Sequence, residues 1–91
     1  MVAIAEIDDT KQRIRQIIAN VTNIDPASIA DAASFTRDLD LDSLSLLEIG
    51  VDVDYEFQLS LPEERMRGLD SVDDAVALVE ERLREKQAEV A

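Results

Sequence analysis

Apolar positions recur at helical spacing near both ends of the chain. Ile14, Ile17, Ile18 and Val21 follow the i, i+3, i+4, i+7 pattern, and Ile7 extends that face two turns back. Asp8, Asp9 and Thr10 place acidic and capping residues at the predicted start of this helix. Toward the other end Val72, Ala75, Val76, Val79 and Leu83 form a second helical face, led by Ser71 with Asp74 three residues on. Arg82, Arg84 and Lys86 fall in its expected last turns, where cations complement the helix dipole, and Lys86 to Ala91 offers no core face and should fray. The run Leu61-Pro62-Glu63-Glu64 predicts a short helix opening at Pro62 and closing at Gly68.

Between these elements the periodicity changes. From Thr22 to Asp42 no regular pattern holds, and Asp25-Pro26 marks a turn or a short helix start. Spaced apolar residues, namely Ile24, Ile29, Phe35, Leu39 and Leu41, predict an ordered loop pinned to the core. The stretch Val51 to Leu61 alternates strictly, as a half-buried strand does. It also reads as a helix: Leu46, Ile49, Val53 and Phe57 share one face, Glu48, Asp52 and Glu56 form an acidic stripe, and Leu44, Leu47, Val51 and Tyr55 form a second apolar strip. Gly50 costs a helix interior roughly 1 kcal/mol relative to Ala, yet a lone strand would have no partner for its backbone groups. The expectation is therefore an all-α fold, a bundle of three longer helices and one short one with a long loop between the first and second. One domain should fill residues 1–91, with its ordered core over about 8–84.

Charge sharpens this picture. The chain carries 21 acidic and 9 basic residues, a net charge of −12. Asp38 to Glu64 holds nine acidic residues and no basic one, so it accounts for most of the excess. Such a balance excludes nucleic acid and an anionic membrane surface as direct partners. It fits either a solvated face or a docking surface for cationic partners. With no Cys and no His, thiol nucleophiles, thiolate metal sites and the commonest general base are missing. Met1 to Ile7 lacks the basic region of a secretory signal and no apolar run is long enough to span a bilayer, so a cytoplasmic, non-enzymatic monomer is expected.

Ser43 stands where the loop meets the middle helix, in Asp38-Leu39-Asp40-Leu41-Asp42-Ser43-Leu44-Ser45-Leu46-Leu47-Glu48-Ile49. It either caps that helix or presents a hydroxyl for modification, and a phosphate there would lie beside free N–H groups at the positive end of the dipole. The pattern Asp38-Leu39-x-x-Asp42-Ser43-Leu44, then Glu48, Glu56-Phe57, Leu61-Pro62 and Glu64, resembles the acyl carrier protein family, and most closely the freestanding bacterial carriers. The resemblance spans residues 8–84 or so and implies the same bundle of helices.

It further implies that Ser43 accepts 4′-phosphopantetheine from coenzyme A through a Mg²⁺-dependent phosphopantetheinyl transferase, with Asp42 orienting arm and transferase. The arm would bear acyl groups as thioesters for fatty-acid or polyketide enzymes of the acyl- or ketosynthase type. Leu44, Leu47 and Val51 would form the apolar contact with those partners, and Glu48, Asp52, Asp54 and Glu56 would meet their Lys and Arg. Leu46, Ile49, Gly50 and Val53 would line an acyl pocket. The chain departs from the family pattern at Asp40, where many members have Gly, at Tyr55, where an acidic residue is common, and at Gly50. Gly50 replaces a larger apolar residue, and either widens the pocket or lets helices pack closely. Two other readings stay open: an unmodified acidic adaptor, and a divalent-cation-binding domain. For the latter, Asp38-x-Asp40-x-Asp42 imitates the start of an EF-hand loop, but Ser43 and Ile49 stand where Gly and a bidentate Glu belong. No dedicated metal site is expected.

Overall fold

A computed structural model describes residues 4–90, with side-chain surroundings over 9–88. Among them there are four α-helices and no strand: α1 (Ile4–Thr22), α2 (Ser43–Phe57), α3 (Glu63–Arg67) and α4 (Val72–Val90). The all-α expectation holds, and the alternating stretch after Gly50 is helical as far as Phe57. The reason lies in its neighbours. Val53 and Ile49 are fully buried one turn apart, while Leu59 and Leu61 enter the core only after the helix has ended.

The core is built from Ile14 and Ile18 of α1, Ile49 and Val53 of α2, and Val72, Ala75, Val76 and Val79 of α4. The loop between α1 and α2 adds Ile29 and Phe35, and Ile24, Leu39 and Leu41 pack against the same cluster. The loop is thus ordered by its apolar anchors, as its spacing predicts. Asp25 starts a single 3₁₀ turn over Pro26–Ser28, its carboxylate accepting from the Ala27 amide. Asp31 then binds the loop to two helices: its side chain pairs with Lys11 and Arg15 of α1, and its carbonyl accepts from the Asp73 amide at 3.0 Å.

Several helix ends differ from the sequence expectation. Helix α1 already includes Ile4, so Asp9 and Thr10 lie inside it; good helix formers such as Ala5 and Glu6 precede them. The roles expected of the Ile7 and Asp8 side chains, of Met1–Ala3 and of Ala91 lie outside the described residues. Helix α4 extends past Glu85 to Val90. Arg82, Arg84 and Lys86 are therefore interior residues rather than last-turn cations. Two of them reach across to the turn after α2, where Arg82 donates to the Leu59 carbonyl and Lys86 to that of Gln58. At the start of α4 the Ser71 hydroxyl accepts from the Asp74 amide at 3.0 Å, while the Asp74 carboxylate turns one residue further back, to the Asp70 amide. Gly68 closes α3 with right-handed angles; the left-handed positions belong to Asn23, Asp40, Gln58 and Ser60. Asp40 at φ 56° shows why that position favours Gly, and a short polar side chain tolerates it best among the alternatives.

Gly50 is buried where α2 meets α3. A Cβ at this position would stand 2.6 Å from the Met66 Cβ and 3.1 Å from its Cα. The space opposite Gly50 is therefore filled by Met66, and close helix packing, not a widened pocket, is what the residue provides. Replacing Gly50 with Ala should raise helix propensity by about 1 kcal/mol yet lower net stability by about 1–3 kcal/mol through overpacking. Urea unfolding measures this, and a stabilised variant would contradict the packing account.

Candidate functional site

The site begins with the choice of cap. Asp42, in extended conformation at φ −90° and ψ 175°, is the N-cap of α2, and its carboxylate accepts from the Ser45 amide at 2.8 Å. Ser43 is the first helical residue, so capping is not its task. Its side chain is exposed, and no hydrogen bond engages its hydroxyl. The amides of Ser43 and Leu44 point out of the first turn without helical acceptors. The Ser45 amide, and then its hydroxyl, hold the Asp42 carboxyl below the ordinary carboxylate range, so the cap stays ionised. An exposed nucleophilic hydroxyl, the Ser43 amide and a fixed carboxylate lie within one helical turn. That set fits a phosphodiester on Ser43.

The position of this turn is decided well away from it in sequence. The Phe35 amide donates to the Asp70 carbonyl at 2.7 Å and the Leu41 amide to the Phe35 carbonyl at 2.9 Å. The Asp70 carboxylate accepts from the Ser34 hydroxyl at 2.8 Å, and from the amide and hydroxyl of Thr36 at 3.3 and 3.1 Å. Asp38 closes the loop on itself by accepting from the Ser34 amide at 2.7 Å. Asp70 was not among the residues expected from sequence. It looks like part of the α4 start signal, and no local pattern ties it to a loop more than thirty residues earlier.

The acidic residues expected to face partners divide in two. Glu48 and Asp52 are exposed and make no ion pair. Asp54 is half-buried and accepts from the Leu61 amide at 3.2 Å, holding the turn after α2. Glu56 pairs with Arg13 at 2.7 Å, and that guanidinium also lies over the Phe57 ring, 4.7 Å from its centroid. Of the apolar strip, Leu44 is 64% exposed, Val51 48% and Tyr55 83%, while Leu47 is half-buried. The residues expected for an acyl pocket also separate. Ile49, Gly50 and Val53 are sealed in the core, and only Leu46 reaches a cleft, of 330 Å³, which it lines with Ser43, Leu44, Leu47 and Arg67. Arg67 is a second residue that the sequence did not single out. Asp38, Asp40 and Asp42 form no ion cage: Asp38 and Asp42 are bonded to Ser34 and Ser45, and no cluster of three or more potential ligands occurs among the described residues.

Comparison with known proteins agrees with this geometry. The chain is 41% identical over 78 residues to the meromycolate extension acyl carrier protein of Mycobacterium tuberculosis, covering 86% of this chain and 67% of that protein. An acyl carrier protein of Rhodococcus erythropolis is 40% identical over 65 residues, 71% of each chain. Residues 12–79 match the family model described as a phosphopantetheine attachment site. The chain belongs to the acyl carrier protein family. The solved structure of the acyl carrier protein of Enterococcus faecalis superposes with a TM-score of 0.65 at 25% identity, over 80% of this chain and 92% of that one. The cofactor of this carrier is phosphopantetheine, and its role is to carry acyl groups in fatty-acid or polyketide-type synthesis. The unmodified adaptor and the cation-binding domain are not favoured.

Acid should unsettle the loop that presents Ser43. The Ser34 hydroxyl first, then the Thr36 amide and hydroxyl and nearby Arg37, lower the Asp70 pKa in the folded state. A depressed folded pKa gives stability that is complete above the unfolded value of about 3.9 and is lost as pH falls through the folded one. Asp70→Asn should therefore melt lower than wild type at pH 7, and the gap should narrow below about pH 4. Melting curves of both proteins across that range check it; a gap independent of pH would remove the charge from the account.

Proposed function

We propose that Ser43 is the attachment residue for 4′-phosphopantetheine and that the chain is a single carrier domain, non-catalytic itself, working as a cytoplasmic monomer. The observation that carries this reading is the Asp42 cap, which leaves the Ser43 hydroxyl exposed and unbonded at the head of α2. In the transfer, Ser43 Oγ bonds to the β-phosphorus of coenzyme A and the pyrophosphate bond breaks. Adenosine 3′,5′-bisphosphate leaves, and the hydroxyl proton passes to a base of the transferase. Asp42 keeps the first turn wound during this exchange. The arm supplies the thiol that this chain lacks, and tethering raises its effective concentration at each partner.

The enzymes that meet the carrier would present basic patches to α2. Glu48 and Asp52 are the charges left to be read, flanked by the exposed side chains of Leu44 and Val51. Asp54 and Glu56 serve the fold, and their exchange for amides would act through stability. Rim charges chiefly set the rate of encounter, which suits a protein that must leave each partner. Similarity to mycobacterial carriers named for meromycolate extension supports fatty-chain elongation over polyketide assembly as the pathway.

Incubation with coenzyme A, Mg²⁺ and a broad phosphopantetheinyl transferase should add one phosphopantetheine to the intact mass, and Ser43→Ala should abolish the gain. No gain, beside a control carrier that is modified, would refute the assignment. Glu48→Gln with Asp52→Asn should slow modification by about threefold or more at low salt, with the difference shrinking as ionic strength rises. Equal initial rates at low ionic strength would return these charges to a solvating role.

A further inference from the structure

The cleft beside Ser43 contains a single cation. Its walls are Ser43, three leucines at positions 44, 46 and 47, and Arg67 of α3. No Lys or Arg occurs from Asp38 to Glu64. Arg65, the first after that stretch, is committed to Glu81 and Glu85 of α4 at 3.4 and 3.0 Å. Arg67 meets only Glu63, one turn back on its own helix at 2.9 Å, with the two side chains 65% and 60% exposed. Exposed i, i+4 pairs contribute only about 0.3–0.5 kcal/mol, so a stronger acceptor can draw this guanidinium away.

Modification creates such an acceptor. The diester on Ser43 carries one negative charge, set beside ionised Asp42 in a stretch that has no cation of its own. Two things at hand can balance it: the first-turn amides of α2 and the guanidinium across the cleft. The Ser45 amide is taken by Asp42 and the Leu44 amide also bears on that carboxylate, which leaves that of Ser43. A guanidinium presents paired donors matched to two phosphate oxygens, and it keeps its charge at any physiological pH. The leucine walls suit the dimethyl-substituted carbon that follows the phosphate along the arm.

We propose that Arg67 binds the phosphodiester of the modified carrier, exchanging Glu63 for it and laying the first segment of the arm over Leu46 and Leu47. The proposal rests on Ser43 as the attachment residue. Arg67 is then a binding and positioning residue: it holds the base of the arm against the α2–α3 cleft and shortens the volume that the thiol sweeps. A partner that offers its own cation to the phosphate would release the arm from this rest position.

Apo and holo forms of wild type, Arg67→Gln and Arg67→Lys supply the test, with conversion checked by intact mass and folding by circular dichroism. In wild type the Arg67 Nε–Hε resonance should shift between apo and holo forms, and the ³¹P resonance of the arm should move with added salt. In holo Arg67→Gln the ³¹P resonance should lie close to that of a free phosphopantetheine diester and lose its salt dependence, with Arg67→Lys intermediate. An Arg67 resonance identical in apo and holo protein, with a ³¹P shift unchanged by Arg67→Gln, would overturn the proposal while leaving the attachment residue intact. Failure of wild type to gain mass would overturn both.

Discussion

Phe35 is fully buried in the middle of a loop, and its backbone is fixed on both sides, by the Asp70 carbonyl through its amide and by the Leu41 amide through its carbonyl. Burial of so large a side chain supplies the free energy, of the order of 2–3 kcal/mol. The hydrogen bonds supply direction. Together with the Asp70 carboxylate they convert some twenty residues without regular structure into a strap of defined path, and that path determines where α2 begins. The cap at Asp42, the exposure of Ser43 and the neighbouring cleft all follow from this placement.

Acidic residues in this carrier do two kinds of work, and the division is visible side chain by side chain. Asp42 and Asp54 satisfy backbone amides at the two ends of α2, Asp31 and Asp70 gather the loop, and Glu56 meets Arg13. Glu48 and Asp52 do none of this. A composition of −12 therefore overstates the charge available to a partner on this helix. It also explains how so acidic a chain stays folded: much of the excess near α2 is hydrogen-bonded to donors fixed in place, which offsets mutual repulsion.

The helices and the loop anchors were legible in the sequence because they depend on periodic burial, which one chain displays directly. Ile14 and Ile18, Val72 and Val79, and the spaced Ile29 and Phe35 all occupy the core that their spacing predicts. The helical state of residues 51–57 needed a tertiary argument, since the same residues alternate as a strand would. The site was legible as a local motif around Ser43. What could not be read was pairing at a distance. Nothing near Asp70 points to Ser34 and Thr36, nothing near Lys86 points to the Gln58 carbonyl, and Gly50 acquires its meaning only when Met66 stands opposite. For the same reason the reach of Arg82 from α4 to the Leu59 carbonyl could not be read.

The contact between Gly50 and Met66 has a mechanical side. Helices usually lock through side-chain ridges set into grooves, and one helix can shift along another only if rotamers change. At this point α2 offers bare backbone, and the buried Met66 side chain rests directly on it. The five residues of α3 are tied to α4 by the Arg65 ion pairs and seated on α2 through the buried Met66. Any residue larger than Gly at position 50 would push α3 outward, and Arg67, which shares α3 with Met66 and lines the cleft beside Ser43, would be carried with it.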